Sequence, residues 1–128
     1  VAERPMYFDY HGAWPDGHVA MGTRGPKNSW FFAEGTTRAG FEEWLCLENP
    51  GGIDAMATLS FMLEDGTVQE SQVAVPAHTR ATVGVFNIVG PDRDVSVTVD
   101  CDRAIVVERP VYFLYHNAWR GGHVVVGL

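Results

Sequence analysis

Residues 55–75, AMATLSFMLEDGTVQESQVAV, carry an alternation that suits a pair of β-strands. Ala55, Ala57, Leu59, Phe61 and Leu63 fall on one side of a period of two, and Met56, Thr58, Ser60 and Met62 on the other. Successive strand side chains point to opposite faces, so this is a strand with one face on a core. Glu64-Asp65-Gly66 ends it with the Asp-Gly pair that tight hairpin turns favour. The segment from Thr67 to Val75 then returns antiparallel until Pro76, which has no amide proton for a ladder, stops it.

Outward from that hairpin the same signal recurs. Strands are predicted over Trp30–Ala33, Glu43–Glu48, Arg80–Phe86, Val95–Cys101, Ile105–Tyr115 and His123–Gly127, punctuated by Asn49-Pro50-Gly51-Gly52 and Gly90-Pro91-Asp92. No window carries a helical stripe long enough to make a helix. Seven or so short strands with regular turns predict an all-β fold, an immunoglobulin-like antiparallel β-sandwich. With 128 residues, 46% of them hydrophobic, the chain has enough apolar side chains for one such core. A formal charge of −7 argues against nucleic acid as a partner, because phosphate contacts need a basic footprint. No stretch approaches the roughly 20 apolar residues that span a bilayer as a helix.

The chain also repeats itself. Set against VVERPVYFLYHNAWRGGHVVVGL from Val106, the opening VAERPMYFDYHGAWPDGHVAMGT matches without a gap at a constant offset of 105, identical at 14 of 23 positions. Identities at Arg4/Arg109, Tyr7/Tyr112, Phe8/Phe113, Tyr10/Tyr115, His11/His116, Trp14/Trp119 and His18/His123 are too rich in scarce residue types for chance. A period near 105 is too long for a solenoid and fits one small sandwich. Residues 1–23 are therefore expected to be the closing strands of a preceding repeat, or a donated segment, and 24–128 one complete repeat. The linker is Arg24-Gly25-Pro26-Lys27-Asn28, and any targeting segment is expected to precede Val1.

Trp30-Phe31-Phe32-Ala33-Glu34-Gly35-Thr36-Thr37, followed by Gly40-Phe41, Glu43-Trp44-Leu45, Leu47 and Asn49-Pro50, resembles the signature of a β-sandwich repeat present in multiple copies in large secreted bacterial proteins. Val75-Pro76-Ala77 with Arg80, Val95-Ser96-Val97 and Ile105-Val106-Val107-Glu108-Arg109-Pro110 fit the same signature, so the likeness runs from Trp30 to Gly127. It implies an extracellular or cell-surface location and an accessory, repeated role. It carries no catalytic residues.

The residues themselves nominate no catalytic centre. There is no Gly-x-Ser-x-Gly elbow, phosphate-binding Gly-Lys-Ser/Thr loop, Cys-x-x-Cys or His-Glu-x-x-His, so the chain is expected to be neither an enzyme nor a cofactor carrier. Cys46 and Cys101 could bridge two sheets, or be two buried thiols; Cys101 is in phase with Val95, Val97 and Val99, while Cys46 sits in a two-sided apolar run. His116 and His123, seven apart around a glycine turn, offer at most two metal ligands where a structural zinc site takes four. Glu34 and Arg109 could pair across strands, and Asp92 with Asp94 could hold calcium were Arg93 not between them. Gly35, Gly40 and Gly66 are expected at turns needing positive φ. The densest cluster is aromatic: Tyr7, Phe8, Tyr10 and Trp14, echoed by Tyr112, Phe113, Tyr115 and Trp119. It is the expected contact between neighbouring copies, head to tail; the alternative is that these rings stack on sugars.

Overall fold

A computed structural model describes residues 1–128. The fold is all-β, an antiparallel sandwich with an additional hairpin. Nine strands are formed: β1 (Glu3–Tyr10), β2 (Trp14–Met21), β3 (Lys27–Phe32), β4 (Phe41–Asn49), β5 (Ala55–Leu63), β6 (Val68–Val75), β7 (Thr79–Gly84), β8 (Val95–Tyr115) and β9 (Trp119–Val126). The predicted hairpin is β5–β6, in register from Ala55 opposite Val75 to Met62 opposite Val68. All five inward residues of β5 are buried.

The sandwich is organised by β8. Its first half pairs with β5 and β3, its second with β4 and β9, and β6 and β7 lie at the outer edges. Sequence reading places two strands here, Val95–Cys101 and Ile105–Tyr115; the structure joins them into one of 21 residues. At about 3.3 Å per residue a straight strand of that length would outrun so small a domain, so β8 turns from one sheet into the other at the exposed Asp102-Arg103-Ala104. The register with β3 records the corner: Lys27 faces Ile105, but Ser29, two residues on, faces Asp100. Strands that change sheets at bulges make the corners of such packings.

Two elements depart from expectation. The linker is shorter, because Lys27 and Asn28 already belong to β3. The Arg80–Phe86 strand ends at Gly84, and the chain turns through a single helical turn, Phe86–Val89, anchored by the Val85 amide donating to the Glu43 carbonyl. A Cβ at Gly84 would come within 2.8 Å of the Asn87 side chain, so a larger residue there would make that side chain shift.

The core holds 18 buried residues from both sheets, with Trp30, Phe61, Leu45 and Leu59 fully enclosed. Trp30 spends its one polar atom on a 3.0 Å bond to the Ile105 carbonyl, so its ring enters the core without an orphaned donor. Asn49 fixes the turn after β4: its amide donates to the carbonyls of Ile53 and Val75, and its oxygen accepts from the Gly51 amide, each at 2.9 Å.

The two cysteines are free, which corrects the disulfide reading. Leu45, Leu47 and Asn49 take the inward side of β4, leaving Cys46 on the outer side beside Thr82, whereas Cys101 faces the core. The thiols therefore project from opposite faces. Burial raises both above the usual thiol range, so neither is an activated thiolate.

Candidate functional site

The echo in sequence is an echo in shape. β1 and β2 form a hairpin through His11-Gly12-Ala13, and β8 and β9 another through His116-Asn117-Ala118. Both loops place their first two residues at positive φ, His11 at 55° and Gly12 at 65°, His116 at 51° and Asn117 at 54°. In both, the alanine amide donates to the tyrosine carbonyl three residues back. Each histidine packs on its preceding tyrosine, with centroids 4.2 Å apart in the first hairpin and 4.0 Å in the second. Gly17 and Gly122 match for a packing reason: Tyr7 lies over Gly17 and Tyr112 over Gly122, so a Cβ would meet the ring at 2.9 Å and 2.7 Å.

The equivalent faces have different partners. In the β8–β9 hairpin Arg109, Val111 and Phe113 look into the sandwich, where Arg109 lies 5.8 Å from the Phe32 ring and Phe113 stacks on Phe41. In the β1–β2 hairpin the matching face of Arg4, Phe8 and Tyr10 lies instead on the outer face of β8–β9. Tyr10 stacks on Tyr112 at 4.2 Å and 11° between planes, and Phe8 meets the same ring edge-on at 5.1 Å. Around them Arg4 binds Glu108 at 3.0 Å, the Gly122 amide donates to Asp16 at 3.2 Å, and Arg120 donates to the Ala13 carbonyl at 2.7 Å. The Tyr10 hydroxyl donates to Glu42 at 2.7 Å and accepts from Trp44 Nε1 at 3.2 Å. Burial, reinforced by the Glu42 bond, pushes Tyr10 up to about 12. The β1 and β2 strands pair only with each other, so side chains carry the dock.

The eight aromatic candidates thus divide. Phe8, Tyr10 and Tyr112 form the seam, with Trp14 half-buried beside Tyr10. Phe113 belongs to the sandwich. Tyr7, at 88% exposure, points away on the hairpin's outer face, and Tyr115 and Trp119 stand exposed 6.2 Å apart at the second tip. Glu42 and Trp44, absent from the candidates, complete the seam; the sign of Trp44 in sequence is the two-sided apolar run it opens, and Glu42 has none.

His116 and His123 do not come together. His116 is at the loop tip, and His123 lies opposite Val111, four rungs beyond the closing Tyr115–Trp119 pair, roughly 13 Å along the ladder. No group of three or more His, Cys, Asp or Glu side chains is placed to hold a metal. Asp94 accepts from Arg38 and Thr36, while Arg93 turns to Glu64 and Asp65, so the acidic turn is an ion-pair cluster rather than a calcium cradle. Of the three glycines, Gly40 and Gly66 have positive φ; Gly35 does not, and is required because a side chain would run into the Glu43 carboxylate.

The partner of Arg109 is Glu43, not Glu34. The pair is buried, with Nε 4.0 Å from Oε1, and neither carboxylate oxygen nor that Nε has a hydrogen-bond partner of normal geometry. Burial raises Glu43 to about 7, against the opposing pull of Arg109 and the Thr36 amide. Burial and Arg109 together hold His123 below the usual imidazole range. Sequence phase could have found this pair: Glu43 is in step with Leu45 and Leu47, and Arg109 with Ile105, Val107 and Val111.

No protein-family model matches this chain, and no curated protein matches it. Among solved structures it is similar to the Thermotoga maritima protein 1070, with a TM-score of 0.74 and 18% identity over 83% of this chain and 96% of that one. It is also similar to the Anabaena sensory rhodopsin transducer, with a TM-score of 0.60 and 23% identity over 66% of this chain and 95% of that one. At such identities the likeness is one of fold.

Proposed function

We propose that this chain is a structural, non-enzymatic repeat of the secreted bacterial kind it resembles, working outside the cell in a stalk or filament by spacing, adhesion or polymerisation. The observation that supports this most is the dock of one echoed hairpin on the outer face of the other. The repeated element carries a donor face, Arg4, Phe8 and Tyr10, and the sandwich offers an acceptor face, Glu42, Trp44, Glu108 and Tyr112, on a different surface. Made between copies, contacts of that heterologous kind run head to tail as an open series or a ring, and exchanged reciprocally they close a swapped pair. The location is tested by protease shaving of intact cells: release of peptides from this chain supports it, and full protection until lysis overturns it.

A second reading, binding of carbohydrate or cell-wall polymer, is favoured by the open placement of Tyr115 and Trp119, since exposed ring pairs can stack on sugar faces. Binding to isolated cell-wall glycan that is lost in Trp119→Ala supports it. Equal binding by both proteins, or none by either, rules it out.

A further inference from the structure

We infer that the β1–β2 hairpin is an exchangeable donor, able to seat on the outer β8–β9 face of a second copy of this chain as it seats on its own, and so to link copies head to tail. This rests on the assembly reading above and names its partner. The hairpin pairs its strands only with each other and reaches the sandwich through Gly22–Pro26, five residues outside any strand. At about 3.3–3.6 Å per residue that tether extends to roughly 17 Å. Nothing in the dock requires donor and acceptor to be on one chain, since the Tyr10–Tyr112 stack, the Arg4–Glu108 pair and the Asp16–Gly122 bond are the same contacts between two chains as within one.

Because exchange conserves every contact, the closed and linked forms differ mainly in tether entropy and concentration. The short tether gives the closed form a high effective concentration, of the order of millimolar for short linkers, so linked copies gain as protein concentration rises. The acceptor chemistry is also built into the echo. Glu3, Tyr7 and Gly17 on the hairpin's outer face stand where Glu108, Tyr112 and Gly122 stand on the face that receives it, with the same tyrosine lying over the same glycine. Tyr7, Val19 and Met21 are exposed there, at 88%, 60% and 60%. A seated hairpin therefore turns outward the β8–β9 part of the surface it sits on, without the Glu42 and Trp44 that β4 adds.

The test uses the full chain with Cys46→Ser, to which Ala13→Cys and Arg120→Cys are added either in separate proteins or together in one; Arg120 reaches the Ala13 carbonyl in the dock. A short bismaleimide is applied to an equal mixture of the two single variants. The expected result is a covalent species at twice the 14.1 kDa chain mass, joined 13 to 120 by peptide mapping, its share rising in proportion to protein concentration, while the double variant closes on itself when dilute. If the double variant closes but the mixture gives no 13–120 dimer at any concentration, exchange is overturned and the repeat reading stands. If the double variant does not close either, the dock is wrong and both fall.

Discussion

Replacing Glu43 by Gln should make the protein more stable at pH 8 and leave it nearly unchanged at pH 5. Glu43 is fully buried, and burial lifts its carboxyl from 4.5 to about 7. Between those values the folded state binds a proton that the unfolded state releases, so stability falls as pH rises through the window. At about 1.4 kcal/mol per pH unit, the ionised group costs the fold about 3 kcal/mol above pH 7, a penalty absent below 4.5. Gln cannot ionise and has the shape of the protonated acid, so it removes the penalty. His123 works the other way: its lowered pKa means that protonation at low pH favours the unfolded chain, and stability from that source rises with pH. The difference between variant and parent cancels most of this. The assay is urea unfolding followed by intrinsic tryptophan fluorescence, at pH 5, 6, 7 and 8. Glu43→Gln should gain about 3 kcal/mol on the parent between pH 5 and 8, on the order of 10 °C in Tm for a chain of this size. A difference that stays flat across the range would show that Glu43 titrates normally, and the buried-pair geometry would be wrong.

Asn49→Ala should cost about 2–4 kcal/mol, because it strands the Val75 and Ile53 carbonyls and the Gly51 amide that its side chain satisfies; a loss below about 0.5 kcal/mol, the scale of a neutral surface change, would mean that water takes over these bonds. Tyr7→Ala should move stability by no more than about 0.5 kcal/mol, since Tyr7 is open to solvent, whereas Phe8→Ala should separate the hairpin from its seat and speed amide exchange across β1 and β2; equal effects would contradict the assignment of faces. Non-reducing mass spectrometry should find both thiols free, with Cys46 alkylated ahead of Cys101, and a mass short by the two hydrogens of a disulfide would refute the placement of the cysteines.

Much of the sandwich was legible because strand alternation is a local signal. β5 and β6 were bounded to within a residue, and the phase of Cys101 with Val95, Val97 and Val99 placed it correctly on the core face. What was hidden was hidden by tertiary covering. The outer side of β4 reads as apolar because the hairpin lies against Trp44, which left the direction of Cys46 undetermined. Sequence reading leaves a gap at the β8 corner because polar Asp102 and Arg103 interrupt the apolar alternation, although the strand continues through them. Arg109 takes Glu34 rather than Glu43 as its expected partner because charged residues are rarely enclosed, and the phase of Glu43 with buried Leu45 and Leu47 is its only sign. Of the site, the echo showed which residues recur but not which face each copy presents; that depends on the sheet a hairpin joins, and the two hairpins differ in this.

The central claim, that copies connect in series through the echoed hairpin, is tested most directly by electron microscopy of the native material that carries this chain. A thin fibre with a regular axial repeat the length of one sandwich is predicted; isolated, monodisperse particles of single-chain size would contradict it.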